Sequence, residues 1–203
     1  MIYKTIENYK GTAIIDNYGE HSFSDLKKQI EKYKKKFEEP LKRKSNIVIY
    51  SDYNFFSVAV FLALHDLLFT IIPIVKTTDE EYKVKIQELK PDSIIEIIEK
   101  GKLEIKNFSY NNRISAKRSS LILFSSGTTG KPKMMAQDLS KIISLLKVPR
   151  KQKSLRFLIL LMFDHIGGIN TLLNCLVSGS SFVIPKDRNP STIIKLIEKH
   201  KVN

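Results

Sequence analysis

Residues 121–133 read LILFSSGTTGKPK, and the way this stretch is read decides the rest of the chain. Its first four residues, Leu121 to Phe124, are apolar and bounded by polar residues, which predicts a short buried strand. Ser125 to Lys133 then place two glycines and four hydroxyls in nine positions directly after that strand. Gly127 and Gly130 let the backbone turn through positive φ and let its N–H groups approach an anion with no Cβ in the way, so successive amides form a phosphate-sized nest. Ser125, Ser126, Thr128 and Thr129 add rotatable hydroxyl donors, and Lys131 and Lys133 add positive charge. A polyphosphate fits such a cup; the plainer alternative is a turn with capping hydroxyls. The stretch is not the P-loop of ordinary NTPases. That motif needs Gly where Ser125 stands and Ser or Thr after the lysine, where Pro132 stands.

Outward from this junction, strands and helices alternate. Leu26, Ile30, Tyr33 and Phe37 draw one apolar stripe on a helix capped by Ser24. Asn46 to Tyr50 predicts a strand, Tyr53 to Leu67 a helix, Thr70 to Val75 a strand, Asp79 to Leu89 a helix stopped before Pro91, and Ser93 to Ile98 a strand. A short hairpin is expected within Lys102 to Asn112. Beyond the glycine loop, Leu139 to Leu146 predicts a helix, Phe157 to Met162 a strand, Ile166 to Val177 a helix, Ser181 to Ile184 a strand and Ser191 to Lys199 a helix. This alternation predicts an α/β fold, a largely parallel sheet with helices on both faces. The last βα unit has no returning strand, so residues 1–203 are expected to form a partial domain, incomplete at the C-terminus.

Composition narrows the function classes. At 203 residues, 42% hydrophobic and 27% charged, the chain is long enough for a real core and is neither fibrous nor disordered. One cysteine, Cys175, allows no intrachain disulfide and no multi-cysteine metal site, and in an apolar helix it reads as a buried small hydrophobe. The N-terminus has no secretory signal and no apolar run is long enough for a membrane span, so a cytoplasmic protein is expected. Thirty-four basic against 21 acidic residues give a net charge of +13, which favours anionic partners. The lysines at 34–36, the basic run Lys42, Arg43 and Lys44, and the cluster Lys147, Arg150, Lys151, Lys153 and Arg156 lack interleaved aromatic residues, so they read as a solvated face and nucleic acid is not expected as a partner.

The nonapeptide Ser125 to Lys133 resembles the phosphate-binding signature of the adenylate-forming superfamily: acyl- and aryl-coenzyme A synthetases, luciferase-like enzymes and the adenylation domains of nonribosomal peptide synthetases. It matches every fixed position of the pattern [Ser/Thr]-Ser-Gly-[Ser/Thr]-Thr-Gly-x-Pro-Lys. Weaker likenesses run in the same order: Gly19 to Leu26, Phe61 to Pro73, and Phe163 to Gly168, where the family often carries histidine followed by glycine. Two departures stand out, Met134 in place of a glycine after the signature lysine and the lack of an Ala-Gly pair in the second segment. The resemblance implies the N-terminal AMP-binding part of a carboxylic acid ligase that uses ATP and Mg²⁺ to form an acyl-adenylate and passes the acyl group to a thiol, coenzyme A or the phosphopantetheine of a carrier protein. It implies that Ser125, Ser126, Gly127, Thr128, Thr129, Gly130 and Lys133 hold the nucleotide's phosphates, Lys133 either directly or by ordering the loop. The Thr-Glu pair, ribose aspartate and late lysine of the family have no counterpart here, so no catalytic residue and no metal ligand is assigned.

For the acid side, His165 has two readings: a lining residue of the acyl or aryl pocket, with Gly167 and Gly168 permitting close approach, or a hydrogen-bonded histidine at a strand end. Asp164 offers a third, since Phe163-Asp164 imitates the pair that grips the α-amino group in amino-acid-activating relatives. Spacing to the turn at Gly179 favours the histidine alignment and a plain organic acid. Besides an amino-acid-adenylating domain, the alternative function is a catalytically silent nucleotide-binding module.

Overall fold

The computed structural model describes residues 2–41, 45–108, 119–125, 133–146 and 155–203. The basic run Lys42, Arg43 and Lys44, the end of the expected 102–112 hairpin, positions 126–132 of the glycine loop and the cluster Lys147, Arg150, Lys151 and Lys153 lie outside them. The described residues form an α/β fold with two sheets.

Helix α1 (Ile2–Ile6) leads to strands β1 (Thr12–Asp16) and β2 (Gly19–Ser22), which run antiparallel, and β2 passes directly into α2 (Phe23–Phe37). The cap of α2 is Ser22, not Ser24. Ser22 Oγ accepts from the Asp25 N–H at 3.1 Å, and the Ser22 N–H donates to the Asp25 carboxylate at 3.0 Å. This closed capping box starts the helix two residues earlier, so that Phe23 joins the buried stripe of Leu26, Ile30, Tyr33 and Phe37.

Next come β3 (Asn46–Tyr50), α3 (Phe55–Asp66), β4 (Thr70–Ile74), α4 (Asp79–Leu89), β5 (Ser93–Ile97) and β6 (Leu103–Asn107). The hairpin expected within 102–112 is instead β5 against β6, turned by the short helical segment Glu99–Gly101. Strand β7 (Ser120–Ser125) is followed not by a helix but by β8 (Lys133–Asp138), antiparallel to it. The six-stranded sheet has the order β6-β5-β3-β4-β7-β8, with its four inner strands parallel. Alternate residues of these strands serve two cores. Ile47, Ile49, Ile71, Ile95, Leu121 and Leu123 join the main core, while Val48, Ile72, Ile74, Ile94 and Ile122 pack with Leu89, Ile86 and Tyr82 of α4 on the other face. Helices therefore cover both faces, as the near-continuous apolar strands require. The β4–β7 ladder stops at Ile71 and Leu121, and Pro73 has no N–H with which to extend it.

Helix α5 (Leu139–Leu145), β9 (Arg156–Leu158), α6 (Ile166–Ser178), β10 (Ser181–Val183) and α7 (Pro190–His200) complete the described elements. Strands β9 and β10 do not extend the six-stranded sheet. They join the N-terminal hairpin in the order β2-β1-β10-β9, with β1, β10 and β9 parallel. Strand β9 is shorter than the apolar run 157–162 because its one neighbour among the described residues, β10, ends at Val183, which leaves Leu160, Leu161 and Met162 exposed. Helix α3 lies between the two sheets. Nearly all its residues are buried, and it packs on β1 from one sheet and on β3 and β4 from the other. Among the described residues no helix is long and apolar enough to cross a membrane.

Candidate functional site

Three parallel strands of the six-stranded sheet, β3, β4 and β7, end on the same edge, at Tyr50, Ile74 and Ser125. In open α/β sheets the crevice outside the carboxyl ends of the strands is where ligands bind. Ser125 is the last residue of β7 and the register partner of Lys133 at the start of β8, and its Oγ donates to the Lys133 carbonyl at 3.4 Å. The hairpin thus brings together the two ends of the signature, half-buried Ser125 and exposed Lys133, while Ser126, Gly127, Thr128, Thr129 and Gly130 belong to the stretch outside the described residues.

The second cluster follows β9. Phe163 is fully buried, its ring 4.5 Å from Tyr53 and 5.6 Å from Phe61. Asp164 is half-buried, and its Oδ1 is enclosed with no hydrogen-bond partner among the described residues. His165 is exposed at the N-cap of α6; its side chain makes no capping bond, while its backbone N–H donates to Met162 O at 3.1 Å. Gly167 and Gly168 form the first turn of that helix. A Cβ on Gly168 would lie 2.7 Å from Met162 O and 3.0 Å from Tyr53 Oη, so it is this chain's own backbone and phenol that approach there. Gly167 faces only the tip of Leu161, at 2.7 Å.

Asp52, Tyr53 and Arg188 were not singled out from the sequence. Asp52 follows β3, and its Oδ1 accepts from the N–H groups of Tyr53 at 2.8 Å and Phe163 at 3.1 Å. Its Oδ2 accepts from Arg188 Nη2 at 2.8 Å. These contacts put the exits of β3, β9 and β10 on one side of the molecule. The exits of β3 and β7 are two strand spacings apart, on the order of 10 Å. Burial pushes the Tyr53 phenol far above its ordinary range, and its hydroxyl has no partner among the described residues. The signal for Asp52 was there: a lone carboxylate between a buried strand and a helix. Nothing in the sequence pointed to Arg188.

Cys175 lies inside α6, buried, and burial pushes its thiol up to about 12. It stays a thiol at neutral pH and is no nucleophile. An open groove of about 550 Å³ between α1 and α2, bordered by Tyr3, Glu7, Lys27, Lys28, Glu31 and Lys32, contains none of the expected site residues. Among the described residues no group of three or more His, Cys, Asp or Glu is placed to hold a metal ion, so they offer Mg²⁺ no ready-made protein cage.

A family model described as AMP-binding enzyme matches residues 75–203, more than half of the chain and including the whole signature. The chain belongs to this AMP-binding enzyme family. Among curated relatives, the 2-succinylbenzoate–CoA ligase of Bacillus pumilus is 28% identical over 109 residues, 51% of this chain and 22% of that protein. Among solved structures, the NpsA N-terminal subdomain of Klebsiella oxytoca in complex with 3-hydroxyanthranilyl-AMSN shares the fold with a TM-score of 0.81 at 17% identity, covering 100% of this chain and 57% of its own. The O-succinylbenzoate coenzyme A synthetase of Bacillus subtilis in complex with AMP superposes with a TM-score of 0.74 at 18% identity, covering 100% and 59%. This AMP-binding chain therefore spans less than two thirds of the length of the relatives it matches.

Proposed function

We propose that residues 1–203 are the nucleotide- and acid-binding part of an ATP-dependent, AMP-forming carboxylic acid ligase acting in the cytoplasm. One observation carries the reading: the complete nonapeptide sits between Ser125, at the carboxyl exit of β7, and Lys133, in a chain that belongs to the AMP-binding family. In this reaction a carboxylate oxygen of the acid attacks the α-phosphorus of ATP. The bond from that phosphorus to the bridging oxygen breaks, and pyrophosphate leaves with the electron pair. A thiol, coenzyme A or a carrier-protein phosphopantetheine, then takes the acyl group and AMP departs. The 2-succinylbenzoate–CoA ligase relative supports an organic acid and coenzyme A as the pair.

Catalysis of such a transfer is positioning and stabilisation of the charge that gathers on the leaving group. The hydroxyls and amides from Ser125 to Gly130, with Lys133, hold the β- and γ-phosphates, and Asp164, His165, Gly167 and Gly168 border the acid. Mg²⁺ neutralises phosphate charge when bound; no step is assigned to a metal ligand of this chain. Removing one preorganised donor at a developing anion costs about a hundredfold or more in rate. Thr128→Val in the complete enzyme is accordingly expected to slow acid-dependent ATP–pyrophosphate exchange by about two orders of magnitude. Unchanged exchange in that variant refutes the role of the loop. Residues 1–203 alone are not expected to turn over; nucleotide binding with no exchange for any acid in the complete enzyme would make it a silent binding module.

A second reading, an amino-acid-adenylating domain, is favoured by Oδ1 of Asp164, enclosed and without a partner among the described residues, which suits a ligand ammonium. Exchange driven by amino acids and abolished in Asp164→Asn would select it over the organic acid.

A further inference from the structure

We infer that Asp52 and Arg188 form a positioning clamp for the acid-binding segment 159–165, an inference that rests on the placing of Asp164 and His165 at the acid. Four contacts define the clamp. The Asp52 carboxylate takes the Phe163 N–H at 3.1 Å and the Tyr53 N–H at 2.8 Å on one oxygen, and Arg188 Nη2 at 2.8 Å on the other. Arg188 Nε donates to Leu160 O at 2.7 Å. One carboxylate and one guanidinium thus secure both ends of residues 160–163 from loops that follow β3 and β10.

The segment needs such a device. Strand β9 ends at Leu158, the Ile159 N–H makes the last bond toward β10 at Val183 O, and Leu160, Leu161 and Met162 are exposed, so neither a ladder nor the core fixes the path until Phe163 enters the core. Two residues further on stands His165. An exposed ion pair alone contributes little to stability, and this pair is open to solvent, with 39% of the Arg188 and 31% of the Asp52 side chain exposed. Its effect is geometric, because each partner also holds a backbone group of the segment between them. Only a planar fork aims Nε at one acceptor and Nη2 at another from a single side chain, which a lysine cannot do.

The clamp is tested in the complete enzyme by steady-state pyrophosphate exchange with 2-succinylbenzoate and a panel of aryl and alkyl carboxylic acids, read together with amide hydrogen exchange. Displacement of a binding group by about 1 Å costs up to about a hundredfold, so Arg188→Met is expected to raise KM for the acid about ten- to a hundredfold and to leave KM for ATP within about twofold. Arg188→Lys keeps the charge without the fork and stays closer to Arg188→Met than to the wild type. In both Arg188→Met and Asp52→Ala the Phe163 amide exchanges faster, with the change confined to 159–165. An unaltered acid KM in Arg188→Met overturns the inference, as does a uniform loosening of the whole chain. If the complete wild-type enzyme activates no acid, the ligase reading fails on its own, and the clamp then stands or falls on the Phe163 amide.

Discussion

Two adjacent glycines show how differently one residue type is used. Gly167 and Gly168 were expected to let a ligand or helix come close, and what comes close to Gly168 is Met162 O and the Tyr53 phenol. That contact joins residues far apart in sequence, so no local pattern announces it. Gly168→Ala drives a Cβ into a backbone oxygen and is expected to destabilise the chain by about 1–3 kcal/mol in urea titration. Gly167→Ala meets only the tip of exposed Leu161 and removes a glycine from a helix, so it is expected to be neutral or to stabilise by up to about 1 kcal/mol. Equal losses in both variants would contradict the packing argument. His65 supplies a pH effect at the same scale. Burial in α3 pushes its imidazole down to about 4 from an ordinary 6.5. The unfolded chain then binds the extra proton first, so the contribution is complete above pH 6.5 and is lost as pH falls toward 4, by about 3 kcal/mol at most. His65→Leu is expected to flatten stability against pH in that window relative to the wild type. An unchanged slope would show that His65 is not its source.

Elements whose apolar pattern is continuous or strictly periodic were legible: β3 and α4 fall on their expected bounds, and α3 begins two residues later than its apolar run suggests. Strand β8 was not, since KMMAQD is an edge strand, exposed along most of its length, with neither an alternating nor a buried pattern to betray it. Its existence changes the setting of the signature, which spans a hairpin rather than a strand-to-helix step; the register at Ser125 and Lys133 was invisible because pairing partners are not written in either strand alone. Helix α3 begins where it does because its first three amides are all taken. Asp16 accepts from Phe55 N–H at 2.8 Å, and Asn54 Oδ1 accepts from Phe56 and Ser57 N–H, each at 2.9 Å. Asn54→Ala leaves two of these donors orphaned in a half-buried setting and is expected to cost about 1–2 kcal/mol by chemical denaturation, with Asn54→Asp retaining most of the stability. A loss as large in Asn54→Asp as in Asn54→Ala would place the effect elsewhere than the cap.

At the scale of the whole molecule, the pairing of β1 with β10 decides the architecture, and it joins Ile14 to Phe182 across nearly the whole chain. The apolar run Ser181 to Ile184 predicted β10, but β1 was not singled out from the sequence and nothing within either segment says that the two pair, so a single sheet was read where two share a helix. The shared helix makes the sheets mechanically one body. Phe61 of α3 is fully buried, touches Phe163 from the segment after β9, and belongs to a core that includes Ile14 and Phe182 of one sheet and Ile47, Ile71 and Leu121 of the other. A cavity there removes support from both sides at once. Phe61→Ala is expected to lower stability by about 3–5 kcal/mol while unfolding remains one transition with an unchanged denaturant slope, because the main core that α3 fills is shared by both sheets. The measurement is urea unfolding followed in parallel by far-ultraviolet circular dichroism and by tyrosine fluorescence. Coincident curves shifted together support one cooperative core, whereas two resolved steps, or a shift seen by one probe alone, would mean that the sheets are held separately and that α3 is merely lodged between them.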